Sequence, residues 1–277
     1  MTNLPDCLMH FLRRIVLILT VAALAVTAAA CAKPRKQQFA EYQAKMQAKG
    51  FLRTDADPAD VSFTNDDLAE HFRRIAFYTF PNDAVHIRKP LTRWEGPLKY
   101  ALLGQTGDQL EIDKLMTHLS GLTDLEMAPT DEKDANFLIM ILDEPAQRYA
   151  RYTLPDPESR KFLRSFLAAI FDCGAIADWS DDDPTIRKAL IYLHGDLEGL
   201  YRKLCFHEEI AQSLGLFNDD LTVRPSIFND DDEFALLTTH DELLLRILYD
   251  PRLKPGMTPE EAMPTVRRII EELRPGL

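Results

Sequence analysis

An α+β domain organised around a single sheet is what this chain predicts, and three observations carry that expectation. Strand-type and helix-type patterns succeed one another as strand, helix, strand, strand, helix, and then helices alone. No internal repeat interrupts them. Composition is that of an ordinary globular protein: 46% hydrophobic and 27% charged residues with 11 glycines exclude collagenous, disordered and multispan membrane classes. The 277 residues are enough to bury a sizeable core.

Thr64 or Asn65 can cap a first helix whose apolar face is Leu68, Phe72, Ile75 and Ala76. Pro81 is expected to end it, and Pro90 marks the linker that follows. Residues 98–103 read as a strand after Trp94, and 109–122 as an amphipathic helix on Leu110, Ile112, Leu115, Met116 and Leu119. The uninterrupted apolar run 136–142 fits a buried strand. Residues 161–171 look helical, 185–193 form another strand candidate, and 197–214 a long helix. Thr239 with Glu242 reads as a capping box for the next helix, and Thr258-Pro259-Glu260-Glu261 opens the last, to about residue 273.

The first thirty residues read as a secretory leader: Arg13 and Arg14 precede an apolar run over 15–30. That run falls short of the roughly 20 residues a bilayer span needs. Ala28-Ala29-Ala30-Cys31 resembles the bacterial lipobox, with Ala28 where leucine is usual, which implies acylation of Cys31. The alternative is an uncleaved N-terminal anchor. By resemblance to lipoprotein sorting, Ala32 after the cysteine implies the outer membrane of a Gram-negative bacterium. The expected division is therefore a leader over 1–30, a lipid-anchored basic tether and lead-in over 31–63, and one domain over 64–277.

Charge supports that division. The whole chain carries −12, yet Lys33, Arg35, Lys36, Lys45, Lys49 and Arg53 stand against Glu41 alone between residues 32 and 53. The tether is thus +5, which fits attraction to anionic headgroups, and residues 54–277 hold −18. An ordinary polar linker helix over 37–49 fits as well. So acidic a body lacks the basic footprint that nucleic acid requires. With Cys7 in the leader and Cys31 at its end, Cys173 and Cys205 remain as a pair. In an oxidising periplasm they are expected to form a disulfide; two buried thiols are the alternative.

Chemistry concentrates in Cys205-Phe206-His207-Glu208-Glu209-Ile210-Ala211-Gln212-Ser213-Leu214-Gly215-Leu216. His207-Glu208 begins an H-E-x-x-H pattern, but Ala211 stands where the second histidine belongs. Shifted by one residue, the run resembles the metzincin metalloprotease helix H-E-x-x-H-x-L-G-L. Glu208 and Gln212 then fall on the two histidine positions, Glu209 on the general base, Gly215 on the turn and Asn218 on the third ligand. Pro225-Ser226-Ile227-Phe228-Asn229 resembles the Met-turn with Phe228 for methionine, and residues 237–249 resemble the helix that closes such domains. Upstream, Arg93-Trp94 and Ala135-Asn136 fit the same N-terminal subdomain. The resemblance covers about residues 88–250 and implies a zincin-like domain: a mixed sheet, an active-site-type helix and a mostly helical C-terminal part. The chain as a whole, especially residues 207–220 and 250–257, resembles a proteobacterial family of lipoproteins known as a domain of unknown function.

The departures bear on mechanism. Zinc hydrolysis needs strong ligands and an open position for water. Glu208, Gln212 and Asn218 offer one carboxylate and two neutral amides, a set better suited to calcium or another oxygen-ligated cation. No cofactor is expected, and Glu209 has no activated water to work with. On the helix, His207 and Glu208 interrupt an apolar stripe of Leu197, Leu200, Leu204, Ala211 and Gly215, so a structural ion pair involving Glu208 competes with a polar cleft. That cleft would comprise His207, Glu208, Gln212, Asn218 and Asp219, with Glu209 as the catalytic candidate. Runs at Asp181-Asp182-Asp183 and Asp230-Asp231-Asp232-Glu233 lack EF-hand spacing and read as solvated loops, and His240-Asp241 as a helix start. The expectation is a lipid-tethered, periplasm-facing domain that binds a protein or peptide partner without cleaving it. The alternative is a metal-dependent or acid–base hydrolase using Glu208 and Glu209.

Overall fold

The run Phe-Leu-Ile-Met-Ile-Leu forms a strand in the middle of a five-stranded sheet, as its lack of alternation predicts. The computed structural model describes residues 33–82, 85–143, 172–180, 182–229 and 231–276. Two units divide the chain, Met1–Gln38 and Phe39–Leu277. In the first, Gln38 Nε2 donates to the Lys33 carbonyl at 2.6 Å across the start of helix α1, Arg35–Ala48. The second holds the core, which takes in Phe39, Met46 and Leu52. The folded body therefore begins earlier than residue 64, because these three side chains are buried in the domain rather than strung along a leash.

Helix α2, Asn65–Phe77, opens at Thr64, whose hydroxyl accepts from Asp67 N while Asp67 accepts from Thr64 N. Pro81 does not end it. The helix stops at Phe77, and Pro81 lies inside strand β1, Tyr78–Asn82, which pairs with β2, Val85–Arg88, in a separate two-stranded ribbon. A short parallel pair joins β3, Arg93–Trp94, to β8, Thr185–Ile186.

The main sheet runs β5-β4-β6-β9-β7. Strand β4, Leu98–Gly104, is followed by helix α3, Gln109–Thr123, and by the parallel edge strand β5, Met127–Pro129. Strand β6, Phe137–Leu142, lies parallel between β4 and β9, Lys188–His194. The strand expected over 185–193 is thus split, with its first two residues serving β3 instead. Strand β7, Cys173–Asp178, closes the other edge antiparallel to β9. The helix expected over 161–171 lies outside the described residues.

After β9 comes helix α4, Gly199–Gln212, packed on β7 and β9. Cys205 at its centre forms the disulfide to Cys173 at the start of β7, with Cα atoms 5.8 Å apart. Helices α5, Thr239–Leu248, and α6, Pro259–Leu273, pack on each other and on α2. His71 Nδ1 and His240 Nε2 meet at 2.9 Å between α2 and α5. The cap of α5 is Thr238 with Asp241, one residue earlier than Thr239 with Glu242, because Asp241 also faces the 225–229 turn. Thr258 and Glu261 cap α6 as expected.

Gly215 turns the chain out of α4 at φ +125°, and a Cβ there would lie 2.1 Å from the Thr92 carbonyl oxygen. No L side chain fits that backbone or that gap. Gly215→Ala is expected to cost about 3 kcal/mol in urea unfolding, from strain and collision together. Reducing the Cys173–Cys205 bond, which closes a 32-residue separation, is expected to cost about 3–4 kcal/mol on loop-entropy grounds, measured with and without dithiothreitol.

Candidate functional site

Helix α4 buries Tyr201, Cys205 and Glu209 at successive turns of one face, alongside Leu204, Phe206, Ile210 and Ala211. The carboxylate on the buried side is therefore Glu209, whereas His207 and Glu208 are only half-buried. The apolar stripe in the sequence predicts Glu208 there. Packing of α4 against β7 through Cys205 rotates the buried face to include Glu209 instead. His207 Nδ1 accepts from Leu237 N at 3.4 Å, and burial pushes its imidazole down to about 4. This is a neutral histidine holding a loop.

The three positions that resemble ligand sites do different work. Gln212 Nε2 donates to Asp219 Oδ1 at 2.7 Å. Asn218 is buried and donates Nδ2 to the Arg74 carbonyl at 3.1 Å, while its Oδ1 has no hydrogen-bond partner among the described residues. Glu208 stays on the half-buried flank of α4. Among the described residues, no three His, Cys, Asp or Glu side chains are arranged to hold a metal ion.

Asn218 shares its task with a residue that sequence reasoning missed. Lys89 is 2% exposed and donates Nζ to the Ala76 carbonyl at 2.5 Å, and its own amide donates to the Phe77 carbonyl at 2.9 Å. Together Asn218 and Lys89 satisfy the carbonyls at the C-terminus of α2. Nζ also lies 5.7 Å from the Trp179 ring centre and 5.1 Å from Phe217, and these two rings stack 6.1 Å apart. Burial alone pushes the lysine down to about 7. Nothing in Arg88-Lys89-Pro90 distinguishes it from a surface lysine. Asp220 adds a further tie to α2, accepting from Arg74 at 3.0 Å.

Glu209 is the exceptional group. Its side chain is buried, with the residue 8% exposed. Burial raises its pKa well above the usual carboxylate range, and the nearby charges of Asp219 and Asp172 raise it further. Asp172 is oriented by the Tyr201 hydroxyl, which donates to it, and by Cys173 N at 2.8 Å. Burial, then Asp172, raises the Tyr201 phenol above its ordinary value. The Tyr42 ring lies 4.9 Å from that of Tyr201, and its hydroxyl donates to Asp232. Sequence reasoning missed Asp172, and the signal that could have found it is its place beside Cys173, whose partner Cys205 stands one turn before Glu209 on α4.

The segment that resembles a Met-turn in sequence holds a buried turn, Ile227–Asn229, with Phe228 fully enclosed. It is braced by Asp241, which accepts from Ser226 Oγ at 2.5 Å, Ile227 N at 3.2 Å and Thr238 N at 2.8 Å. His240 and Asp241 thus serve packing and capping. The acidic runs differ from expectation at Glu233, which is buried between Arg224 at 2.5 Å and Arg53 at 3.5 Å rather than solvated. Asp183 pairs with Arg187 at the surface, and Asp181 and Asp230 lie outside the described residues.

The raised pKa of Glu209 has a definite sign in stability. A carboxyl whose folded pKa exceeds its unfolded value weakens the fold as pH rises above about 4.3, until the folded group itself ionises. Glu209→Gln keeps the shape without the charge. It is expected to match wild type near pH 4 and to exceed it in stability at pH 8, compared by urea midpoints.

Comparison with curated proteins finds no match. The sequence profile described as protein of unknown function (DUF2927) matches residues 65–268, from the first turn of α2 into α6. That span contains the whole sheet, the α4 helix and the Glu209 cluster, and it is well over half of the chain. The chain belongs to the DUF2927 family.

Proposed function

We propose that this chain is an envelope lipoprotein, held through acylated Cys31 in the outer membrane and facing the periplasm, whose zincin-like domain binds a protein or peptide partner without hydrolysing it. The zincin-like reading is supported by a mixed sheet followed directly by α4, by the Gly215 turn, and by the enclosed 225–229 turn beside α5. Loss of hydrolysis rests on one observation above all. The third ligand position holds a neutral amide, Asn218, in place of a histidine, and its Nδ2 donates to the Arg74 carbonyl at the α2 C-terminus. Gln212 is likewise a neutral amide, with Nε2 donating to Asp219. A peptide partner is favoured by β7, beyond which no described strand pairs, so its outer edge can accept an extended segment.

The test combines metal content, cleavage and anchoring in the natively purified protein. Wild type is expected to lack stoichiometric zinc and to leave peptide libraries intact. The Glu208→His/Gln212→His/Asn218→His variant is expected to acquire zinc, as the zincin-like reading of these positions requires. Mass spectrometry is expected to find diacylglycerol on Cys31, and Cys31→Ala to release the protein from membranes. Stoichiometric zinc in wild type, with cleavage abolished by Glu209→Ala, would overturn the non-hydrolytic reading.

A second reading has its own observation. Glu209, biased toward the protonated acid next to Asp219, is the pairing that acid–base hydrolysis uses. Cleavage that survives EDTA and disappears in Glu209→Gln would favour it over the binding role.

A further inference from the structure

We propose that the segment accepted by β7 is an extended peptide with a large apolar side chain beside Ile176 and, two residues away, a basic one beside Asp178. The inference rests on the peptide-binding role proposed above and names the residues such a peptide needs.

The two edges of the main sheet are built differently. Strand β5 has three residues and ends in Pro129, features that discourage a further strand. Strand β7 has six, Cys-Gly-Ala-Ile-Ala-Asp, with neither proline nor lysine to block its edge. The disulfide to Cys205 holds its first residue, so this edge is ordered before a ligand arrives.

Register places one open apolar row beside that edge. Cys173 faces α4, so strand alternation turns Ile176 to the opposite face of the sheet. There Leu138 of β6 pairs with Leu190 of β9, and Leu190 with Ile176. The three line a trough of about 450 Å³. Ile176 is 37% exposed, and among the described residues it is the exposed large apolar side chain that lies in a strand. One row further along, Met140 and Tyr192 are buried. In the other direction the row is Lys188 and Asp178, which also line the trough; neither makes an ion pair among the described residues.

That shape selects the occupant. A strand added to β7 puts alternate side chains on this face. The residue opposite Ile176 then extends the Leu138–Leu190–Ile176 row, and an aromatic side chain there covers the exposed isoleucine. The residue two positions away stands opposite Asp178, where an arginine or lysine makes a cross-strand ion pair. An amphipathic helix fits less well, because its apolar stripe runs over several turns while the open row is one residue deep along the strands. The surplus of −18 over residues 54–277 also favours a basic peptide.

The test titrates the natively purified protein with acetyl-Ser-Thr-Phe-Thr-Arg-Thr-Ser-amide and with acetyl-Ser-Thr-Arg-Thr-Phe-Thr-Ser-amide, since an added strand can run in either direction. Calorimetry is expected to find the better of the two bound at least about tenfold more tightly than its counterpart with serine for phenylalanine. Against glutamate in place of arginine the advantage is expected to be about threefold. Ile176→Thr is expected to remove most of the phenylalanine advantage, and Asp178→Lys to reverse the charge preference, with circular dichroism unchanged. A phenylalanine advantage that is absent or survives Ile176→Thr, or an arginine preference that survives Asp178→Lys, would overturn the inference and leave the binding role standing. No peptide bound at millimolar concentration would overturn both. A dimer in sedimentation that Ile176→Thr dissolves would assign the row to a second copy of the chain and overturn the inference as well.

Discussion

Three stretches far apart in the chain meet around Arg93 and Gly215, and the geometry of the site depends on that meeting. Arg93 is buried and donates to the Leu248 carbonyl at 2.7 Å and the Asp250 carbonyl at 3.1 Å, closing the C-terminus of α5. Its neighbour Trp94 donates from the indole to the Ser213 carbonyl at 2.9 Å, and the Tyr249 hydroxyl donates to the Leu214 carbonyl at 2.8 Å. Gly215 then passes against Thr92 where no side chain has room. Each contact satisfies a helix-end carbonyl or permits a close backbone approach. Without them α4 would end freely, and the 216–220 loop would have no fixed course.

The same loop is tied at its far side to α2. Asn218 and Asp220 both contact Arg74, one through its carbonyl and one through its guanidinium. Lys89 completes the capping under the Trp179–Phe217 stack. Loop 216–220 is therefore clamped between the sheet-bound half of the domain and the α2–α5–α6 helices. Asp219 and Gln212 are positioned by this clamp and by the hydrogen bond between them.

Much of the architecture was legible where burial on both faces leaves a continuous apolar run, as in β6, or where a cap is spelled out, as at Thr258 and Glu261. The missed strands are short or at edges. β5 has three residues, and β7 is built mostly of small side chains, so neither shows periodicity. The cap of α5 was displaced by one residue because Asp241 answers to a turn fifteen residues upstream, which no local pattern reveals. In the site, the alignment on Gly215 brought Glu209, Gln212 and Asp219 into view. It left Asp172, Tyr201 and Lys89 unseen, since their roles arise from contacts between distant segments. Burial of Glu209 in place of Glu208 turned on a helix rotation of one residue, which packing against β7 decides.

The disulfide has a meaning beyond cross-linking. Cys205 stands one helical turn before Glu209, and Cys173 stands next to Asp172. Turning α4 by a single residue would swing the sulfur away by about 100° and break the bond. The bridge therefore works as a phase lock on the helix, holding the azimuth at which Glu209 faces Asp172. With that phase held covalently, residues on the other faces of α4 are free to change their chemistry while the carboxyl keeps its bearing.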